Sequence, residues 1–249
     1  MLSRCAYQRA ASVTSLFPRA SIIQQEIGCP PEKCTVIENG IRCERFLPVP
    51  PKEDDGMIDI GAVVRLAPIK DIKTLIYAFF ELRARVPNVR LHILGDSDDA
   101  EYKQECFRLV DQLKAKDILF VGNTDVSAYL KKLDFTVLSS ISEGQPLAVL
   151  ESLAARRPCV TTDVGCCREL LDGQSGDELG RAGICVPPMH PELLAKGMET
   201  LCVHPALRRQ MGEVGQKRVL ESYTNEKMIQ KYLKNYKEVM DAWQESDLN

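Results

Sequence analysis

The strongest constraint on the fold is an alternation of two kinds of segment. Short apolar runs at 35–37, 58–65, 89–94, 118–121, 135–138, 159–162 and 183–186 alternate with segments of helical periodicity. The latter lie at 71–86, 101–115, 126–133, 146–155 and 191–203. Strands that are apolar throughout are buried on both faces, and a helix between consecutive strands supplies the crossover that a parallel sheet requires. The pattern predicts an α/β fold, a doubly wound, Rossmann-like parallel sheet. In such sheets ligands bind beyond the C-terminal ends of the strands. The loops that follow the apolar runs are therefore where function is sought.

Bulk properties narrow the classes. At 249 residues, 45% hydrophobic and 27% charged, the chain can bury a sizeable core in one large domain or two small ones. A net charge of −3 argues against a nucleic-acid surface as the main partner. No apolar run approaches the ~20 residues that span a bilayer, and residues 1–20 lack the continuous apolar core of a secretory signal. The ten cysteines form no CxxC framework in a chain large enough to fold without staples. Reduced thiols and a cytoplasmic location are the expectation.

Three divisions are expected: an interdomain segment at 1–50, a ligand-binding domain at 51–223 and a crossover helix at 224–249. Pro48 to Asp55 (PVPPKEDD) reads as a linker. Before it come a helix near 19–27 and the stretch TVIENGIRCERF, in which Asn39-Gly40 is a tight-turn signal. Two long charged helices follow the sheet. On the second, Met228, Tyr232, Tyr236 and Met240 recur at helical spacing and read as one packed face.

The chemistry concentrates in SEGQPLAVLE, residues 142–151, where seven residues separate Glu143 from Glu151. Pro146, two positions after Gly144, reads as the first turn of a helix, where its missing N–H is harmless. Glu143 then precedes the helix and Glu151 lies about two turns along it. Unpaired N–H groups at a helix start attract anions. An acid beside an anion site suits a ligand with both hydroxyls and phosphates, a nucleotide sugar. Structurally, the same pair can be a loop acid and a helix-surface acid.

Two more sites fall at strand ends. Arg65 and Lys70, across the loop RLAPIK, can converge on one diphosphate, although many such pairs are simply solvated. Gly95, after the strand ending at Leu94, permits close approach of a ligand, and Asn123 can face a nucleobase edge. Asp96-Ser97-Asp98 resembles a metal-binding acidic string but supplies too few oxygen ligands, and reads as a polar loop. None of His92, His190 and His204 reads as a general base. The absence of a P-loop and of GxGxxG argues against a P-loop hydrolase or a Rossmann dehydrogenase.

Together these motifs resemble the donor-binding, C-terminal half of glycosyltransferase family 4, retaining enzymes of the GT-B fold. Glu143 and Glu151 match the family's Glu-x7-Glu signature, Arg65 and Lys70 its phosphate-binding cations, and TVIENGIRCERF its interdomain segment. RLAPIKDIKTLI, EGQPLAVLE and DVGCCREL look most like the PelF-like, UDP-glucose-dependent branch, which works in exopolysaccharide synthesis. The resemblance implies that Glu143 contacts sugar hydroxyls. It also implies that amides around Gly144, Gln145, Pro146 and Leu147 hold the sugar and distal phosphate. Glu151 would bind the ribose, while Arg65 and Lys70 neutralise the UDP leaving group without a metal. It further implies a glycan acceptor and a polysaccharide-synthesis complex at the inner face of the membrane.

Two positions depart from the family pattern, which has glycine where this chain has Val64 and Arg156. With about 50 residues ahead of the donor domain, the expectation is that the acceptor half is not part of this chain. The chain would then be inactive alone, or be completed by a separate acceptor-domain chain. A non-catalytic interaction domain that keeps the half-fold, capturing a partner through the last helix or residues 2–17, is the competing reading. A nucleotide-sugar epimerase is a third, against which the Glu-x7-Glu spacing argues.

Overall fold

A computed structural model describes residues 2–247. It falls into two units, one made of Met1–Arg42 with Ser222–Asn249 and the other of Cys43–Glu221. The sequence reading placed these divisions at 50/51 and 223/224.

The smaller unit contains α1 (Leu2–Arg9), β1 (Val13–Ser15), α2 (Pro18–Glu26) and β2 (Cys34–Val36). The two strands pair in parallel, with Val13 opposite Cys34. Asn39-Gly40 forms no tight turn; Gly40 instead passes close to the Thr224 backbone, where a Cβ would lie 2.3 Å from the carbonyl oxygen, and leads to Ile41, whose amide donates to the Tyr223 carbonyl at 3.0 Å and whose carbonyl accepts from the Asn225 amide at 3.0 Å.

The larger unit runs β3 (Ile58–Val63), α3 (Ile72–Arg85), β4 (Val89–Leu94), α4 (Ala100–Leu113), β5 (Ile118–Gly122), α5 (Val126–Leu130) and β6 (Phe135–Leu138). It continues with α6 (Leu147–Ala154), β7 (Cys159–Thr162), α7 (Cys167–Asp172), β8 (Gly183–Val186), α8 (Pro191–Val203) and α9 (Pro205–Ser222). Its six strands are parallel in the order β5-β4-β3-β6-β7-β8. The chain works outward from β3 to β5, then crosses over and works outward again from β6. The reversal lies between β3 and β6, the switch point at which a doubly wound sheet opens a crevice.

Helices cover both faces. On β6, β7 and α6, Thr136 Oγ1 lies 2.6 Å from Ser152 Oγ and bonds the Cys159 thiol at 3.2 Å. The next residue along β7, Val160, points the other way and meets Gly197 on α8. β6 and β7 are buried from end to end, as their apolar runs require.

In α10 (Asn225–Asp247) the first half of the face that the sequence predicts is packed, with Met228 and Tyr232 half-buried and Met228 Sδ accepting from the Gly40 amide at 3.3 Å, but the second half is not. Tyr236 is 59% and Met240 60% exposed, whereas Asn235 is buried and its side-chain oxygen accepts from Ser12 Oγ at 2.8 Å. Apolar spacing alone misses a packed face that carries an asparagine.

The expected linker at 48–55 is also anchored. The Pro50 carbonyl accepts from the buried Arg157 guanidinium at 2.5 Å, and Lys52 reaches the carboxylates of Asp55 at 2.6 Å and Asp59 at 3.1 Å. Its proline-rich, charged composition reflects these bonds rather than a free tether.

Candidate functional site

Lys70 and Glu143, separated by 73 positions, meet at the switch point. Lys70 follows β3 and Glu143 follows β6, and Lys70 Nζ donates to Glu143 Oε1 at 2.6 Å. Both are largely sheltered, with side-chain exposures of 23% and 10%. The same carboxylate oxygen accepts from Ser140 Oγ at 2.6 Å. The two loops are also tied through their backbones, since the Ile141 amide donates to the Ile69 carbonyl at 2.9 Å and Ser139 Oγ to the Lys70 carbonyl at 2.8 Å. A charge-assisted bond held from both sides fixes the lysine's position rather than leaving it to sample solvent.

A third loop braces Glu143 from behind. The Cys166 amide donates to the Gly144 carbonyl at 3.0 Å, and Thr162 Oγ1 donates to the Ser140 carbonyl at 2.7 Å. Gly165 sits at φ +57, where a Cβ would lie 2.2 Å from the Gly144 carbonyl oxygen, so only glycine allows this approach. The helix start beyond has Pro146 as its cap, one position before the first helical residue Leu147, and no side-chain cap bond. Gln145 is buried, while Leu147 is 46% exposed.

Arg65 faces a neighbouring cleft of about 410 Å³, lined also by Gly95, Asn123, Thr124, Asp98 and Val126. The arginine is well exposed and lies 3.7 Å from the Asp98 carboxylate. Gly95 is indispensable to the cleft's shape. It sits at φ +130, a Cβ there would stand 2.0 Å from the Val64 carbonyl, and its amide donates to the Gly122 carbonyl at 2.8 Å. The structure thus brings together two sets of the predicted residues, Arg65–Gly95–Asn123 in the cleft and Lys70–Glu143 at the strand reversal. Asp96 of the acidic string is engaged by Lys103 Nζ at 2.6 Å and by the Ser97 amide at 2.8 Å.

Glu151 lies on α6, partly buried, and its carboxyl is raised above the ordinary glutamate range by desolvation, an effect that nearby Arg45 partly offsets. Arg45, Ser139, Ser140, Thr162 and Gly165 went unnoticed in the sequence reading. Serine, threonine and glycine are ordinary loop residues, and only the three-dimensional crossing of three loops gives them a role. Of the two departures from the family pattern, Arg156 adopts the left-handed conformation at φ 58 that a glycine takes without strain. Val64 is buried at the strand end, its amide bonded to the Leu94 carbonyl at 2.9 Å.

A doubly wound parallel sheet with charged loops at its switch point is the class of fold that the structure defines, and comparison with known proteins identifies the family. Residues 58–204 match the family of glycosyl transferases group 1, and the chain belongs to that family. EpsD of Bacillus subtilis, named as a glycosyltransferase, is 30% identical over 211 residues, 78% of this chain and 52% of EpsD. Sucrose-phosphate synthase from Thermosynechococcus elongatus superposes with a TM-score of 0.84 at 21% identity, covering 97% of this chain and 61% of that one. HepE of Anabaena, crystallised with UDP, gives 0.81 at 18% identity over 94% of this chain and 65% of its own. These structural likenesses establish the Rossmann-like half of a GT-B fold. The chain spans about half the length of the curated relatives it matches.

Proposed function

We propose that the larger unit binds a nucleotide sugar and is the donor half of a retaining hexosyltransferase, with UDP-glucose as the donor and a glycan as the acceptor. The observation that carries this reading is the Lys70–Glu143 pair, 2.6 Å apart at the strand reversal. A binding crevice belongs at that point, and the cleft of Arg65, Gly95 and Asn123 lies at the ends of the adjoining strands. The nucleobase enters that cleft, Glu151 takes the ribose hydroxyls, and the sugar lies against Glu143 and the amides from Gly144 to Leu147.

Transfer breaks the bond between the anomeric carbon and the β-phosphate oxygen, leaving its electron pair on the diphosphate. The acceptor oxygen bonds to the anomeric carbon from the same face, and its proton passes to the departing phosphate oxygen. Arg65 and Lys70 stabilise the charge that builds on the leaving group, assisted by helix-start amides. This arrangement supplies the positive charge without a metal ion. The work of this chain is donor binding, and full transfer needs an acceptor-binding half on the same or another polypeptide. The PelF-like likeness of the RLAPIK and EGQPLAVLE loops favours a role in polysaccharide synthesis at the inner face of the membrane.

Calorimetry with UDP and UDP-glucose tests the reading. Saturable binding of both is expected, and absence of binding at millimolar ligand by the folded chain would refute it. One observation favours a second reading, a non-catalytic interaction domain: α10 exposes Leu233 by 62% and Trp243 by 70%. Capture of a protein other than an acceptor-type domain, lost on removing residues 225–249, together with no affinity for UDP, would select it.

A further inference from the structure

Two of the ten cysteines stand apart from the rest. Cys29 closes the turn after α2 and Cys34 opens β2, and their sulfur atoms lie 3.3 Å apart. A disulfide needs a separation of about 2.05 Å, so closure asks for a shift of roughly 1.3 Å, within reach of side-chain rotation. The segment between them, Pro30-Pro31-Glu32-Lys33, is stiff. Two prolines lead into a single helical turn at Pro31–Lys33, and the Lys33 amide donates to the Pro30 carbonyl at 3.0 Å. Both ends are fixed as well, Cys29 by its amide bond to the Gln24 carbonyl at 2.9 Å and Cys34 by its place opposite Val13. The two sulfurs therefore face each other because the backbone holds them so, and both point at the Pro30 carbonyl, at 3.8 Å and 3.5 Å.

We propose that Cys29 and Cys34 form a redox site, closing to a reversible intramolecular disulfide by exchange with a low-molecular-weight disulfide such as oxidised glutathione. Cys34 is the more accessible of the two, whereas Cys29 is buried. Burial and the adjacent Cys34 sulfur push the Cys29 thiol up to about 11, which leaves the first attack to the more accessible Cys34. The Cys34 thiolate attacks one sulfur of the small disulfide, whose S–S bond breaks and releases one thiolate that takes up the Cys34 proton. The Cys29 sulfur then attacks Cys34 in the mixed disulfide, releasing the second small thiol with the Cys29 proton. Two protein thiols become one disulfide, and the small disulfide is reduced to two thiols. The bond staples the end of α2 to the start of β2. The site is independent of the nucleotide-sugar reading, since it lies wholly in the smaller unit.

The test is to equilibrate the whole chain with oxidised glutathione, block remaining thiols with N-ethylmaleimide and map the peptides by mass spectrometry. The expected product is a Cys29–Cys34 link, lighter by two hydrogens and reopened by dithiothreitol. Cys29→Ser should trap glutathione on Cys34, whereas Cys34→Ser should carry none on Cys29. Exposed Cys5 serves as the internal control for oxidant activity. If Cys5 acquires glutathione while Cys29 and Cys34 are both fully alkylated, or if either links to another cysteine instead, the proposal is wrong.

Discussion

The two ends of strand β3 carry two charged clusters of opposite design. At the N-terminal end, Asp59 is 1% exposed and surrounded. It accepts from His92 Nε2 at 2.7 Å, from Arg90 Nε at 2.6 Å and from Lys52 at 3.1 Å, while its own amide donates to Asp134 at 2.9 Å. His92 in turn lies 2.9 Å from the Tyr129 hydroxyl. At the C-terminal end, Lys70 and Glu143 have one ionic partner each in that contact and stand where the sheet opens. The first cluster borders a cavity of about 620 Å³, but its charges are spent on one another, Asp59 on Arg90 and Lys52, and Asp55 on the same two cations. The second holds one cation and one anion, with side chains 23% and 10% exposed, at the switch point, and in the function proposed above its remaining bonding capacity serves a diphosphate and sugar hydroxyls. Burial of charge alone therefore does not mark a site. What differs is whether the hydrogen-bonding capacity is spent inside the protein.

That contrast can be broken by substitution. The largest effect is expected from Asp59→Asn, which leaves Arg90 and Lys52 without their buried counter-ion. A loss of about 3 kcal/mol in urea unfolding is predicted. UDP affinity in the fraction that remains folded should not change. Lys70→Ala should reverse the pattern, costing about 2 kcal/mol of UDP binding, roughly thirtyfold in Kd by calorimetry, with at most about 1 kcal/mol of stability lost. If Lys70→Ala unfolds the chain and Asp59→Asn does not, the assignment of the two clusters is inverted.

Acidification sharpens the same difference. Burial by itself would raise the Asp59 carboxyl, but hydrogen bonds from His92, Arg90 and Lys52 hold it well below the usual carboxylate range. Its folded-state pKa is depressed, so its contribution to stability is complete above the unfolded value of about 3.9 and is lost as pH falls through the folded one. Urea midpoints measured downward from pH 5 should therefore decline less steeply in Asp59→Asn than in the unaltered chain. Glu151 shifts in the opposite direction. Its raised pKa means that ionisation costs stability, so this term is most favourable below the unfolded glutamate value and is lost as pH rises through the folded one. The smallest effect is expected from Glu151→Gln, about 1 kcal/mol of UDP affinity through a weakened bond to the ribose, with stability at pH 7 unchanged or slightly raised.

Much of this was legible in the sequence, for reasons that differ by residue. The strands of the larger unit were read because burial on both faces makes them apolar throughout, as in Phe135–Leu138 and Cys159–Thr162. Glu143 and Lys70 were read separately, each from its own loop, but nothing local indicates that residues 73 apart bond to each other. The Asp59 network was missed entirely, because its members are scattered through β3, β4 and a proline-rich segment that resembles a linker. The face of α10 is legible only as far as Met228 and Tyr232; beyond them the buried residue is Asn235, which is polar and leaves no apolar signal. Local patterns expose what secondary structure demands, whereas contacts made by tertiary crossing leave no such trace.

The central claim is that the crevice between the ends of β3 and β6 receives a nucleoside diphosphate through Lys70. A calorimetric titration of UDP into the whole chain, run beside the Lys70→Ala variant, tests it most directly. The account predicts one saturable site in the unaltered chain, displaced by UDP-glucose and weakened about thirtyfold in the variant, whose urea midpoint stays close to the original. Equal UDP affinity in both chains, or no binding to the folded protein at millimolar UDP, would contradict it.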